Sequence, residues 1–90
     1  MAVPLKSIVR KLLIAINLNT KADISLTTNM KFNPRYSNLS TYYIVNEWLD
    51  ENSSKYIDLE GRGGKVTYTC SNLIEVIEVL QQLRDEYEHK

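Results

Sequence analysis

The sequence predicts one α+β domain, residues 1–90, in which an N-terminal and a C-terminal helix flank a four-stranded antiparallel β-meander. Three observations predict this fold class. Apolar residues recur at helical spacing near both ends, they alternate with polar residues in the middle, and turn-forming residues separate the alternating runs. Because each helix has a single apolar stripe, we expect the order α-β-β-β-β-α, with both helices packed on one face of the sheet.

The first element is a helix over residues 4–18. Pro4 suits its first turn, where the missing N–H costs nothing. The apolar stripe repeats every three or four residues and comprises Leu5, Ile8, Val9, Leu12, Leu13 and Ile16. The opposite face is basic, with Lys6, Arg10 and Lys11. Ile14 also falls there, which is unusual for a solvated surface. A basic amphipathic helix can lie on a membrane, but we interpret the stripe as part of the core.

Two strands follow, over residues 23–32 and 40–49, and the turn-rich segment 33–38 separates them. The first strand alternates cleanly, and its apolar face carries Ile24, Leu26, Met30 and Phe32. The second strand is apolar on both faces. One face carries Tyr42, Ile44 and Trp48, and the other carries Tyr43, Val45 and Leu49. Such a strand lies in the middle of a sheet, or has its second face covered by another part of the protein.

Short strands over residues 55–60 and 65–70 complete the predicted sheet. Residues 50–54 form the hairpin turn before them, and the glycine-rich residues 61–64 form the turn between them. The glycine-rich turn has no Walker spacing and is not followed by a helix. We therefore interpret it as a hairpin turn and not as a phosphate-binding loop.

The last element is a helix over residues 72–87. Asn72 caps it, and Glu75 completes a capping-box-like pattern. Its apolar stripe comprises Leu73, Val76, Ile77, Leu80, Leu83 and Tyr87. The order of helix, antiparallel strands and helix resembles in outline the double-stranded-RNA-binding fold. That family has lysines at the start of its last helix, where this chain has Asn72, Glu75 and Glu78. None of the family's binding residues is therefore carried over.

Composition and cysteine usage predict a cytoplasmic protein. Hydrophobic residues make up 43% and charged residues 24% of the chain, which is ordinary for a folded domain. No stretch is long enough to span a membrane, no secretory signal is recognisable, and the single Cys70 cannot form an internal disulfide. The frequent Asn, Ile, Lys and Tyr residues have AT-rich codons, which favours an AT-rich bacterium or its phage as the source.

The sequence gives little support for catalysis. His89, the only histidine, is next to the last residue. Cys70 alternates with Val66 and Tyr68, which predicts a small buried hydrophobe. No Cys or His pair has zinc-ligand spacing. The acidic residues fall on turns, on exposed helix faces or on outward strand faces, and the outward set includes Glu47. We therefore expect no enzyme, no metal site and no cofactor.

The two halves of the chain differ in charge. Residues 1–46 hold six basic residues and one acid, whereas residues 47–90 hold five basic residues and ten acids. Either the halves neutralise each other in the fold, or the basic half binds nucleic acid. The second interpretation predicts a shared patch formed by Lys6, Arg10, Lys11, Lys31 and Arg35. The six tyrosines and one tryptophan either stack on bases or fill the small core.

These observations predict a small non-catalytic interaction module that binds another protein or forms a homodimer. The predicted interface is the sheet face that the helices leave open. If Tyr42, Ile44 and Trp48 meet the helices, that open face carries Tyr43, Val45 and Leu49, with Tyr56 as a neighbour across the hairpin. The alternative function is that of a nucleic-acid-binding accessory protein that uses the basic half.

Overall fold

The computed structural model describes residues 4–49 and 64–89 and has an α+β fold. Its elements are α1 (Leu5–Asn19), β1 (Asp23–Asn33), β2 (Asn38–Trp48), β3 (Lys65–Cys70) and α2 (Leu73–Glu88). Each of them begins and ends within two residues of its predicted bounds. In the described residues the sheet has three strands and not the expected four. The predicted strand over residues 55–60 and the turns beside it lie outside the described residues.

The three strands form an antiparallel sheet in the order β1-β2-β3. All eleven residues of β1 pair with β2 in one unbroken register, from Asp23↔Trp48 to Asn33↔Asn38. In contrast, β3 pairs only with residues 43–48 of β2. The outer part of the β1–β2 hairpin therefore extends beyond β3. We call this part, residues 29–42, the arm.

The core lies between the two helices and one face of the sheet. Each helix contributes three buried aliphatic side chains: Val9, Leu12 and Ile16 from α1, and Val76, Leu80 and Leu83 from α2. The strands contribute Ile24, Val45 and Cys70. Burial of each large aliphatic side chain contributes about 1.5–3 kcal/mol to the stability of the fold.

Local hydrogen bonds fix the start of α2 as the sequence predicts. The Asn72 side chain accepts a hydrogen bond from the Glu75 backbone N–H at 2.9 Å. In return, the Glu75 carboxyl group accepts one from the Ser71 N–H at 2.8 Å. The first bond satisfies an N–H group that the helix leaves without a partner, and the second attaches the residue before the cap to the first turn.

Neither described helix is long and apolar enough to cross a membrane.

The structure corrects the assignment of the two faces of β2. The helices cover the face of Tyr43, Val45 and Glu47, and Val45 and Glu47 are fully buried. The flanking strands impose this choice, because the register places Leu26, Val45 and Tyr68 side by side on one face. The other face of β1 and β3 is polar. On β2 that open face carries Tyr42, Ile44, Asn46 and Trp48.

Cys70 is buried against this core, as its alternation with Val66 and Tyr68 predicted. Its side chain is only 1% exposed. Burial raises the pKa of the thiol, and the nearby charges of Glu75 and Glu78 raise it further. Because the thiolate is the reactive form, both access and ionisation limit its reaction with thiol reagents.

We expect Cys70 in the native protein to react slowly with a thiol reagent at neutral pH, and to react promptly once urea unfolds the chain. A control with the exposed Ser71 changed to Cys, in a Cys70→Ala background, should react at once. The reaction is followed by mass spectrometry. Rapid labelling of native Cys70 would show that the inner face of β3 is wrongly assigned.

Candidate functional site

The described residues of the predicted interface, Tyr43, Val45 and Leu49, do not form an exposed patch. Val45 is fully buried beneath the helices, and Tyr43 is half-buried against the same core. Leu49 is half-buried at the end of β2, where its N–H donates to the Gly64 carbonyl. Tyr56 lies outside the described residues. The prediction that Tyr43 and Val45 lie on an open face is therefore wrong, because both belong to the core face.

The five basic residues of the predicted patch are not brought together on one surface. Lys6 and Arg10 lie on one flank of α1. Lys11 lies about 100° further around the helix from Arg10. Lys31 alternates with Met30 and Phe32, so it projects from the opposite face of the sheet. Arg35 lies in the hairpin turn.

The arm carries the main exposed apolar surface of the described chain. Met30 is 69%, Phe32 59% and Leu39 63% exposed. Phe32 and Leu39 are direct cross-strand partners, and Met30 is two residues from Phe32 on the same face. This is the face that the helices cover elsewhere, but the helices end before the arm. Contiguous apolar surface of this kind commonly marks a binding site.

An apolar groove lies beside α1, next to the base of the arm. It has a volume of about 380 Å³ and runs between the flank of α1 and the inner face of β1 and β2. The apolar part of its lining includes Leu13, Ile14, Leu26 and Tyr43, and Lys6 and Arg10 also line it. Ile14 and Leu18 extend the exposed apolar surface further along α1. The unusual position of Ile14 in the sequence was the one signal of this surface.

The edge of β1 borders the groove. At Ile24, near the start of this edge, the side chain of Asn17 occupies the outward backbone groups. The Asn17 amide accepts a hydrogen bond from the Ile24 N–H and donates one to the Ile24 carbonyl, both at 2.9 Å. Both backbone groups of Ile24 therefore point away from β2. In an antiparallel pair this direction alternates, so the backbone groups of Leu26, Thr28, Met30 and Phe32 point the same way.

Beyond Asn17 this edge has no backbone partner among the described residues. It contains no proline and no bulge, which are devices that usually protect an edge from pairing with another chain. We call the arm, the groove and the free edge from Leu26 to Phe32 the docking surface.

A second feature is a buried polar cluster around Glu47. Its two carboxyl oxygens accept hydrogen bonds from the Tyr68 hydroxyl at 2.8 Å and from the Tyr87 hydroxyl at 2.6 Å. The sequence assignment of Glu47 to the outward face, as a solvated acid, is wrong. Tyr87 comes from the last turn of α2, so this cluster attaches the end of that helix to the sheet. Because Glu47 has no exposed surface, a solute cannot reach it in this structure.

Tyr87→Phe removes one of these donors and should lower the free energy of unfolding by about 1–3 kcal/mol, the usual effect of leaving a buried polar atom short of a partner. Urea denaturation measures the change. The matched control is Tyr36→Phe, at an exposed tyrosine in the hairpin turn, which should change stability by less than about 0.5 kcal/mol. Equal stability of the two variants would contradict a structural role for the cluster.

The chemistry of the described residues gives no metal centre. No group of three or more His, Cys, Asp or Glu side chains in residues 4–49 and 64–89 is arranged to hold a metal ion. The docking surface combines apolar side chains, the cationic side chains of Lys6 and Arg10, and backbone hydrogen-bonding groups of β1. Comparison with protein-family models, with curated proteins and with solved structures finds no match to this chain.

Proposed function

We propose that this protein is a non-catalytic interaction module that self-associates through its docking surface. The observation that carries this proposal is that one chain holds both halves of a complementary contact. It has an apolar arm that extends beyond its own helices, and an apolar groove beside a free strand edge. A second copy offers its arm to the groove of the first and receives the first arm in its own groove.

The physical contributions to such a contact come from the backbone and from the side chains. An added strand satisfies the free N–H and C=O groups of β1, which supplies affinity through main-chain hydrogen bonds. Alternate side chains then enter the groove, which supplies specificity. Burial of a large apolar side chain such as Phe32 contributes about 1.5–3 kcal/mol. The aliphatic stems of Lys6 and Arg10 can cover the apolar contact while their charges stay in water.

Nucleic-acid binding has less support than self-association. The basic side chains that such a function needs lie on different surfaces, with Lys6 and Arg10 on α1 and Lys31 across the sheet. Phosphate binding gains from several cations along one track. The exposed surface on the helix side of the arm is instead apolar. For these reasons we do not propose nucleic acid as the partner.

Phe32→Glu should weaken the dimer at least tenfold, because it places a charge in the apolar contact. Size exclusion coupled to light scattering over a range of concentrations measures this shift. The matched control is Thr67→Glu, an exposed position on the open face of β3, and it should leave the dimer unchanged. Thermal melting by circular dichroism checks that both variants fold.

Two results would overturn this proposal. The first is a wild-type protein that stays monomeric at the highest concentration it tolerates. The second is a dimer that Phe32→Glu and Thr67→Glu affect equally, since the contact would then lie elsewhere than on the arm.

A further inference from the structure

We infer that two copies pair β1 to β1 in an antiparallel manner about Asn29, and so form one continuous six-stranded sheet from their described strands. This inference rests on the proposed function and specifies the geometry of the contact. The free edge of β1 runs from Leu26 to Phe32, because the Asn17 side chain already occupies the backbone groups of Ile24. The midpoint of that free edge is Asn29.

A twofold axis at Asn29 matches every free position of one edge with a free position of the other. Leu26 then pairs with Phe32 of the second copy, and Thr28 pairs with its Met30. Each of the four pairs exchanges two backbone hydrogen bonds, for a total of about eight. A register centred on Thr27 or Thr28 would instead place residues of the second copy opposite Ile24, whose backbone groups Asn17 already occupies, or would leave outward backbone groups of β1 without partners.

The same register places the helical layers in compatible positions. The half of β1 that α1 covers, near Ile24 and Leu26, lies opposite the bare arm of the second copy. In the dimer, the helix-covered half of each β1 therefore lies opposite the bare arm of the other copy. A register that paired the two covered halves would bring the two α1 helices together over adjacent strands, and helices need about 8–10 Å between their axes whereas strands lie about 4.8 Å apart.

Charge also favours this register. Lys31 lies opposite Thr27 of the second copy. The Lys31 of the second copy is four residues further along that strand, so the two lysine positions are about 13 Å apart. That distance exceeds the Debye length of about 8 Å at physiological salt, so the repulsion is largely screened. A register centred on Lys31 would place the two ammonium groups directly opposite each other.

The exposed apolar residues of both elements support a second copy as the occupant. A stable interface buries about 800 Å² on each partner, and a short strand pair alone provides less. The apolar side chains of the arm and of the α1 flank, which include Met30, Phe32, Leu39, Ile14 and Leu18, bring the contact toward that size when each arm lies in the other copy's groove. One contact thus covers the exposed apolar residues of both elements.

Single cysteines on the polar face of β1 test this register, in a Cys70→Ala background. Asn29 is at the axis in a non-hydrogen-bonded pair, where Cα atoms are about 4.5 Å apart, within the range of a disulfide. Under mild oxidation Asn29→Cys should form a covalent dimer. Thr27→Cys alone and Lys31→Cys alone should not, but their equimolar mixture should, because those positions face each other.

The outcomes separate this inference from the proposed function. A covalent dimer from Thr27→Cys alone or from Lys31→Cys alone would overturn the register. If no variant or mixture cross-links while light scattering still shows a dimer that Phe32→Glu dissociates, pairing of the β1 edges is wrong and self-association stands. If the cysteine variants, checked for folding by circular dichroism, are monomeric and wild type is monomeric too, both proposals fail.

Discussion

The hydrogen bonds from Tyr68 and Tyr87 to Glu47 hold the carboxyl group of a central strand beneath a helix, and the rest of the structure depends on this contact. Because side chains alternate along a strand, an inward Glu47 requires that Val45 and Tyr43 also point inward. The two tyrosines contribute to this burial, since a buried carboxyl group without donors would cost several kcal/mol. This polar cluster and the pairing of Leu26, Val45 and Tyr68 therefore together fix the inner face of the three described strands.

The character of the arm follows from the same alternation. On the inner face of β1, the residues after Leu26 continue as Thr28, Met30 and Phe32, but the helices cover only the first part of this row. The row therefore emerges from the core as an exposed apolar surface, next to an edge that Asn17 closes only at Ile24. The core and the apolar surface of the arm are two parts of a single sheet face, and the exposed part begins where the helices end.

The sequence predicted the elements because periodicity and caps are local, and failed where a choice depended on contacts between distant residues. Both helices and the described strands followed from spacing, and the Asn72 cap was recognisable. The orientation of β2 could not be recognised in this way, because both of its faces are apolar. The acidic Glu47 also favoured assigning the inner face to the outside. Pairing of Val45 with Leu26 and Tyr68, together with the hydrogen bonds to Glu47, decides the orientation. Likewise, the Asn17 contact joins a helix to a strand edge and has no sequence signal.

Trp48 provides the most direct measurement of the central claim, because it is the only tryptophan and lies on the opposite face from Glu47. In the structure it is 45% exposed, and the Lys65 ammonium lies 5.0 Å from its ring centroid. The native protein should therefore show fluorescence that acrylamide quenches readily, with an emission maximum near that of the unfolded chain. A blue-shifted emission protected from acrylamide would mean that Trp48 faces the helices, and would contradict the orientation of β2 described above.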